Sequence, residues 1–364
     1  MRADKRIIYS AAVSSFLLSY IIHSPSLSNP LYSDIVSFWY RGFSTPRVPY
    51  IELGFEYPPL AGFLTYLAAL AEPSVVAYYT VFSIIILVFY LLLIEIVMRL
   101  CIERGIGLEY ALVFLCLSPS MIVYSIYNFD LIFTSLLVAS LYLLLRGKLS
   151  LSAFTFSITA LIKLINLIAL PFILTYIRGW RQRIRYLVIS IAPFAAVNLA
   201  LYIINPGFVD KTYIYHLRWG LENAWFLILF PNEWSWDTAK LFSLLLLGYG
   251  LLKIYVLDEV DIFRRLFMVL AVCLLSTYVF TPQMVLWFLP FLAILGSIPT
   301  PYFVLEFANV GILLLWFETP NPLKLGSPPQ LFALLRAIML FMILIEVYLG
   351  SRRVKGDQVA EESS

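Results

Sequence analysis

Residues 73–94 read PSVVAYYTVFSIIILVFYLLLI, a run without one Asp, Glu, Lys or Arg. A helix rises 1.5 Å per residue, so about 20 such residues cross the ~30 Å hydrocarbon core of a bilayer. Two more stretches, 7–33 and 266–305, are equally free of charge. Outward from these runs, the 364-residue chain is 62% apolar and only 13% charged, with mean hydropathy +0.89. Soluble domains carry about a quarter charged residues, and disordered chains are poor in apolar ones. Both classes are excluded. The net charge of +3 is too small to suggest a nucleic-acid partner. The sequence therefore predicts an all-α polytopic membrane protein.

Apolar segments suggest up to twelve passes, near 7–23, 75–98, 108–126, 131–145, 149–163, 165–177, 186–204, 239–256, 266–281, 284–298, 302–317 and 331–349. Segments 149–163 and 165–177 are too short to span upright. Meeting at Lys163, they read as a hairpin that stops inside the protein, which is tolerable where it lines a cavity. Lys and Arg gather at the N-terminus, at 99–104, 146–148, 178–185 and 253–265, and near the C-terminus. The positive-inside rule then puts both termini in the cytoplasm. Arg2, Lys5 and Arg6 before an apolar run imitate a signal peptide, but no small-residue cleavage site follows, so the first span is expected to stay. Residues 1–349 read as one transmembrane domain and 350–364 as a polar, disordered cytoplasmic tail. Cys101, Cys116 and Cys273 lie in or beside apolar runs and read as packing residues.

Two loops on the outer side are long, 24–73 and 205–237, and long loops on a compact scaffold are where function concentrates. In the first, Ile35, Phe38, Trp39 and Gly42 fall at i, i+3, i+4 and i+7, with Asp34, Ser37 and Arg41 on another face. That is the pattern of an interfacial helix. After Glu56-Tyr57-Pro58-Pro59-Leu60, residues 60–71 read as a second short helix. An acid held at the membrane surface, such as Asp34, suits a general base. The plainer reading is that Ser33 or Asp34 only caps the helix.

Asp34, Pro49-Tyr50 and Glu56-Tyr57-Pro58-Pro59-Leu60 together resemble the first outer loop of GT-C glycosyltransferases, most of all glycosyltransferase family 87. Asn128-Phe129-Asp130, the Lys163 segment running to Leu170-Pro171-Phe172, and Thr281-Pro282-Gln283 with Trp287 and Leu289-Pro290-Phe291 extend the likeness over most of residues 1–295. The resemblance implies a GT-C bundle of about 11–12 transmembrane helices. It also implies a mannosyltransferase that takes its sugar from a polyprenyl-phosphate carrier, transfers it with inversion at the outer face, and uses Asp34 as catalytic base. Asp34 has no acidic neighbour here, whereas some GT-C branches carry a paired acid. The implied partners are a polyprenyl-phosphate-linked sugar, a lipid or glycan acceptor and membrane lipids.

The chemistry agrees with that implication. One carboxylate must take the acceptor's hydroxyl proton, and a departing lipid phosphate needs cations and hydrogen-bond donors rather than an acid. Lys163, His216 and Arg218 are the candidate phosphate ligands, with Lys211 nearby in sequence. An ionised lysine between Leu161-Ile162 and Leu164-Ile165 is costly unless it is paired or faces a polar cavity; the alternative is that it snorkels to the interface. The aromatic surroundings of His216 and Arg218, Tyr213 to Trp219, suit either sugar stacking or a membrane-interface belt. Glu52, Glu56, Tyr57, Asp130 and Gln283 are further substrate-binding or supporting candidates. No His/Cys/Asp cluster has metal-ligand spacing and no glycine-rich phosphate loop occurs, so neither metal nor cofactor is expected. A transporter or lipid flippase shares this hydropathy but calls for inverted-repeat symmetry and ionisable residues near mid-bilayer. A non-catalytic membrane subunit needs no charged cavity at all.

Overall fold

The computed structural model describes residues 4–71, 73–258 and 260–362, with side chains as far as residue 350. The described residues are helical throughout; their only β pairings are two isolated bridges, Pro49 with Leu53 and Glu222 with Val279. Among the described residues five helices are long and apolar enough to cross a membrane: Lys5–His23, Val75–Glu103, Trp180–Ile204, Glu233–Tyr255 and Pro328–Gly350. The chain divides into two compact units, Met1–Trp219 and Gly220–Ser364.

In the first unit, helix Val75–Glu103 begins where Ser74 accepts the Ala77 N–H. Tyr78, Phe82, Ile86 and Tyr90 recur every fourth residue and are buried, while Ile84 and Val88 on the other side are exposed. Apolar residues on both faces fit a helix whose solvent is lipid. The expected span 108–126 is not one helix. It breaks into Glu109–Ala111, Leu112–Cys116 and Pro119–Tyr124. Pro119 has no N–H to continue the ladder, and Ser118 instead caps the new helix by accepting from Met121.

The short hairpin is present. Helix Leu149–Ala160 gives way to an extended Lys163, then to a 3₁₀ turn Leu164–Ala169 and helix Leu170–Thr175. Asn166 ties the two arms by donating to the Phe156 carbonyl at 2.9 Å. Pro193 interrupts helix Trp180–Ile204, and the Phe194 N–H goes to Ser157 Oγ of the hairpin at 3.0 Å. A neighbouring hydroxyl commonly rescues a backbone group freed by a proline at membrane depth.

The first loop is folded rather than loose. Asp34–Phe38 is α-helical and continues as one wide turn, Trp39–Phe43, inside which Gly42 takes φ 145. The predicted apolar stripe is buried at Ile35, Phe38 and Trp39, with Phe43 as its last anchor. Helix Pro59–Ala69 follows the paired prolines, its Leu60 N–H bonded to the hairpin's Leu161 carbonyl at 2.9 Å. Tyr50 latches the loop between them. Its hydroxyl donates toward the Tyr57 and Pro58 carbonyls at 2.8 and 2.7 Å and accepts the Gly62 N–H at 3.0 Å. A Cβ at Gly62 would stand 2.3 Å from that oxygen, so only glycine admits the latch.

The second unit holds an aromatic cluster of Trp225, Phe226, Phe230 and Phe242. Buried Arg336 donates to Asn309 Oδ1 at 2.9 Å and to the Asn223 carbonyl at 3.2 Å. Gln283 is buried in this unit, in the turn Pro282–Trp287. The last helix, Pro328–Glu362, extends through most of the sequence read as a polar tail; residues 363–364 lie outside the described ones.

Candidate active site

Three segments of the first unit converge on Asp34: its own loop helix, the bend before helix Asp130–Leu145, and the Lys163 hairpin. The convergence starts with Ser33. Its hydroxyl makes no cap bond; it donates to the Ile126 and Tyr127 carbonyls at 2.9 and 3.2 Å. The Ile35 N–H also bonds the Tyr127 carbonyl, at 3.3 Å. The start of the loop helix is thereby stitched to the 126–128 bend.

Asp34 uses both carboxylate oxygens inside this frame. Tyr32 donates its hydroxyl to Oδ1 at 3.0 Å, and Asn128 donates its amide to Oδ2 at 2.7 Å. Burial pushes the Asp34 carboxyl up to about 6, against the Tyr32 bond, the positive Arg41, the Asn128 bond and the positive Lys163, all of which pull it down. A carboxylate poised near neutral pH and held by two donors suits proton abstraction. The helix-cap reading of Ser33 is not realised, because its oxygen is engaged elsewhere.

Lys163, in the hairpin, faces Tyr57 of the loop. Its ammonium pairs with Asp130 Oδ1 at 3.1 Å and stands 5.5 Å from the centre of the Tyr57 ring. Asp130 is completely buried in the first turn of its helix. Tyr57 accepts a second amide hydrogen of Asn128 at 2.8 Å, and burial drives its phenol well above the ordinary tyrosine range. Asp34, Asn128, Tyr57, Lys163 and Asp130 thus form one connected polar group in an aromatic shell of Phe38, Phe55 and Phe129.

The remaining candidates are placed unequally. Glu56 takes Arg41 in an ion pair at 2.6 Å, and its backbone carbonyl accepts from His216 Nε2, also at 2.6 Å. His216 packs edge-on to Tyr57 at 6.1 Å and stacks parallel on Trp219 at 5.8 Å. Burial lowers its pKa, in opposition to the Glu56 carbonyl, so the imidazole is neutral at pH 7. Arg218 is exposed and pairs with Asp210 at 3.0 Å. Glu52 accepts the Val48 N–H at 2.7 Å and closes its own turn. The Lys211 stem lies against Gly54, where a Cβ would come within 2.4 Å of it. Tyr32 and Arg41 were not among the sequence candidates for the site. Tyr32 had a usable signal, since it stands two residues before the proposed base.

Among the described residues no group of three or more His, Cys, Asp or Glu is placed to hold a metal.

Residues 55–179 match the model of the N-terminal domain of the alpha-(1->6)-mannopyranosyltransferase (MptA/B) family. This segment carries Glu56, Tyr57, Asn128, Asp130 and Lys163, while Asp34 and His216 fall outside it. No curated protein matches the sequence. Among solved structures, ArnT from Cupriavidus metallidurans bound to undecaprenyl phosphate superposes with TM-score 0.50 at 14% identity, covering 98% of this chain and 79% of that one. The same protein in the apo state gives 0.48 at 15% identity, with equal coverage. The fold is an all-helical, multi-pass one that resembles that of ArnT.

Proposed function

We propose that this GT-C membrane glycosyltransferase, with an alpha-(1->6)-mannopyranosyltransferase domain over residues 55–179, transfers mannose from a polyprenyl-phosphate carrier to a lipid or glycan acceptor at the outer membrane face, with inversion. Asp34 is the general base. The acceptor hydroxyl attacks the sugar's C1 from the side opposite the phosphate, and Asp34 takes its proton. The C1–O bond breaks and its electron pair leaves with the lipid phosphate. That phosphate is a good leaving group, so the site needs a cation rather than an acid, and Lys163 supplies it. His216 lies at the edge of the same site; its Nε2–H is engaged by the Glu56 carbonyl, so its part is to shape the wall beside Tyr57. Arg218, on the surface with Asp210, assists in attracting the anionic headgroup.

The observation that carries this reading is the pairing of an Asp34 carboxyl raised to about 6 with a lysine held beside the Asn128–Tyr57 network. The match of residues 55–179 to a mannopyranosyltransferase domain favours sugar transfer over a flippase. That ArnT has been seen with undecaprenyl phosphate supports a polyprenyl-phosphate ligand for the shared fold. The test is direct. Membranes containing the protein are incubated with labelled polyprenyl-phosphate-mannose and a lipid extract, and the product is resolved and its anomeric configuration read. A labelled product with the donor's configuration inverted is expected. No transfer to any acceptor, or retention of configuration, overturns the proposal.

A further inference from the structure

Asn128 anchors hydrogen bonds whose direction can be read unambiguously. The Phe129 backbone N–H stands 2.6 Å from Asn128 Oδ1. A backbone N–H only donates, so that end of the amide is the oxygen and the other is NH₂. Both NH₂ hydrogens are then engaged, one by Asp34 Oδ2 at 2.7 Å and one by the Tyr57 oxygen at 2.8 Å. Two consequences follow. An amide that can only donate favours Asp34 in its ionised form, the form that acts as base. And since the Tyr57 oxygen is accepting, its own O–H hydrogen must point elsewhere. It makes no hydrogen bond as a donor to the described residues, and the Lys163 ammonium lies over the same ring.

We propose that Asn128 is a positioning residue with two outputs: it holds Asp34 ionised and aimed at the acceptor hydroxyl, and it turns the Tyr57 O–H outward as a donor to the anionic sugar-phosphate beside Lys163. This rests on the reading of Asp34 as the base. Asn128 is completely buried, so its amide has no competing water. The other groups facing Asp34 are Tyr32 from its own segment, Arg41 from the following turn, Tyr57 from the loop, Tyr127 from the bend and Lys163 from the hairpin. The three phenols stay neutral through the acid range, and the two cations act on Asp34 whether or not Asn128 is present. Asn128 hydrogen-bonds both the base and the donor-side phenol.

The experiment is the pH dependence of kcat/KM, with donor KM measured separately, using labelled polyprenyl-phosphate-mannose. Asn128→Leu removes the bond to Asp34, so the acid limb should move up by about one pH unit. Asn128→Ser still accepts from Phe129 but is too short to reach Asp34; it should move the limb the same way and covers the case where the leucine variant does not fold. Tyr57→Phe should leave the limb in place and raise donor KM several-fold. A uniform loss at every pH in both Asn128 variants, with the limb unmoved, overturns the inference while Asp34→Asn remains inactive. An active Asp34→Asn enzyme would instead remove the base reading beneath it. An unchanged donor KM in Tyr57→Phe refutes the second output.

Discussion

Lys163 Nζ stands 3.1 Å from Asp130 Oδ1, with the carboxylate fully buried and the lysine side chain 11% exposed. The lysine therefore neither snorkels nor stands alone. Asp130 holds it as an ion pair inside the fold, and the ammonium also faces the Tyr57 ring. Removing one member of a buried pair strands the other, at a cost of about 3–5 kcal/mol. Lys163→Met and Asp130→Asn should each lower the unfolding midpoint, and the double variant should recover much of the loss. Stability and function then separate: the double variant refolds the site but has no cation, so donor KM stays high. Arg218→Ala breaks only an exposed pair, worth about 0–1 kcal/mol, and should change donor KM far less. Full activity in Lys163→Met would take Lys163 out of the site.

Asp34→Asn preserves shape and leaves Tyr32 and Asn128 in place, but an amide cannot take the acceptor's proton. Transfer should fall by at least the ~10²-fold of a lost general base. Turnover of labelled donor in membranes adjusted to equal protein measures it. Near-wild-type turnover would move the base to Glu52, Glu56 or Asp130.

The pH dependence follows from the same carboxyl. With Asp34 pushed up to about 6, kcat/KM should be flat above neutrality and fall about tenfold per unit on the acid side, with its midpoint near 6. The sign for stability is opposite. The native state holds this proton up to about 6, whereas the unfolded chain releases it near the ordinary 3.8. Native protein therefore binds more protons in that window, and Asp34 lowers stability as pH rises through it. Asp34→Asn removes that burden. Its unfolding midpoint at pH 7 should be no lower than that of the wild type, although its activity is lost. A destabilised and inactive variant would instead mark Asp34 as structural.

The parts of this fold legible in the sequence were those set by local rules. The charge-free runs at 7–33 and 73–94 marked two of the long helices, whereas 266–305 breaks into shorter ones. Pro58-Pro59 marked the start of a helix seen at Pro59–Ala69, and the i, i+3, i+4 stripe from Ile35 marked the buried side of the loop helix. The break at Ser118-Pro119 is equally local, but the apolar run on both sides hides it. The site was legible only in pieces. Asp34 stood out as an acid at a helix start, and Lys163 as a charge amid leucines. Asp130 was a supporting candidate, but the pairings did not show, because Asn128 meets Asp34 and Asp130 meets Lys163 only through packing between distant segments. Periodicity within one helix carries no information about such contacts.

Sidedness gives the last prediction. The cationic segments 99–104, 146–148, 178–185 and 253–265 predict the cytoplasmic face, which puts the first loop and Asp34 outside. Ser44 ends the wide turn that follows the Asp34 helix, and Gln182 sits among Arg181, Arg183 and Arg185 at the start of helix Trp180–Ile204; both are exposed. The native cysteines Cys101, Cys116 and Cys273 are buried, so they give little background labelling. In intact cells an impermeant thiol reagent should therefore label Ser44→Cys and spare Gln182→Cys, and permeabilisation should expose the second site. Labelling of Gln182→Cys alone in intact cells would invert the topology. Asp34 would then face the cytoplasm, and the carrier-linked sugar would have to be drawn from the inner leaflet.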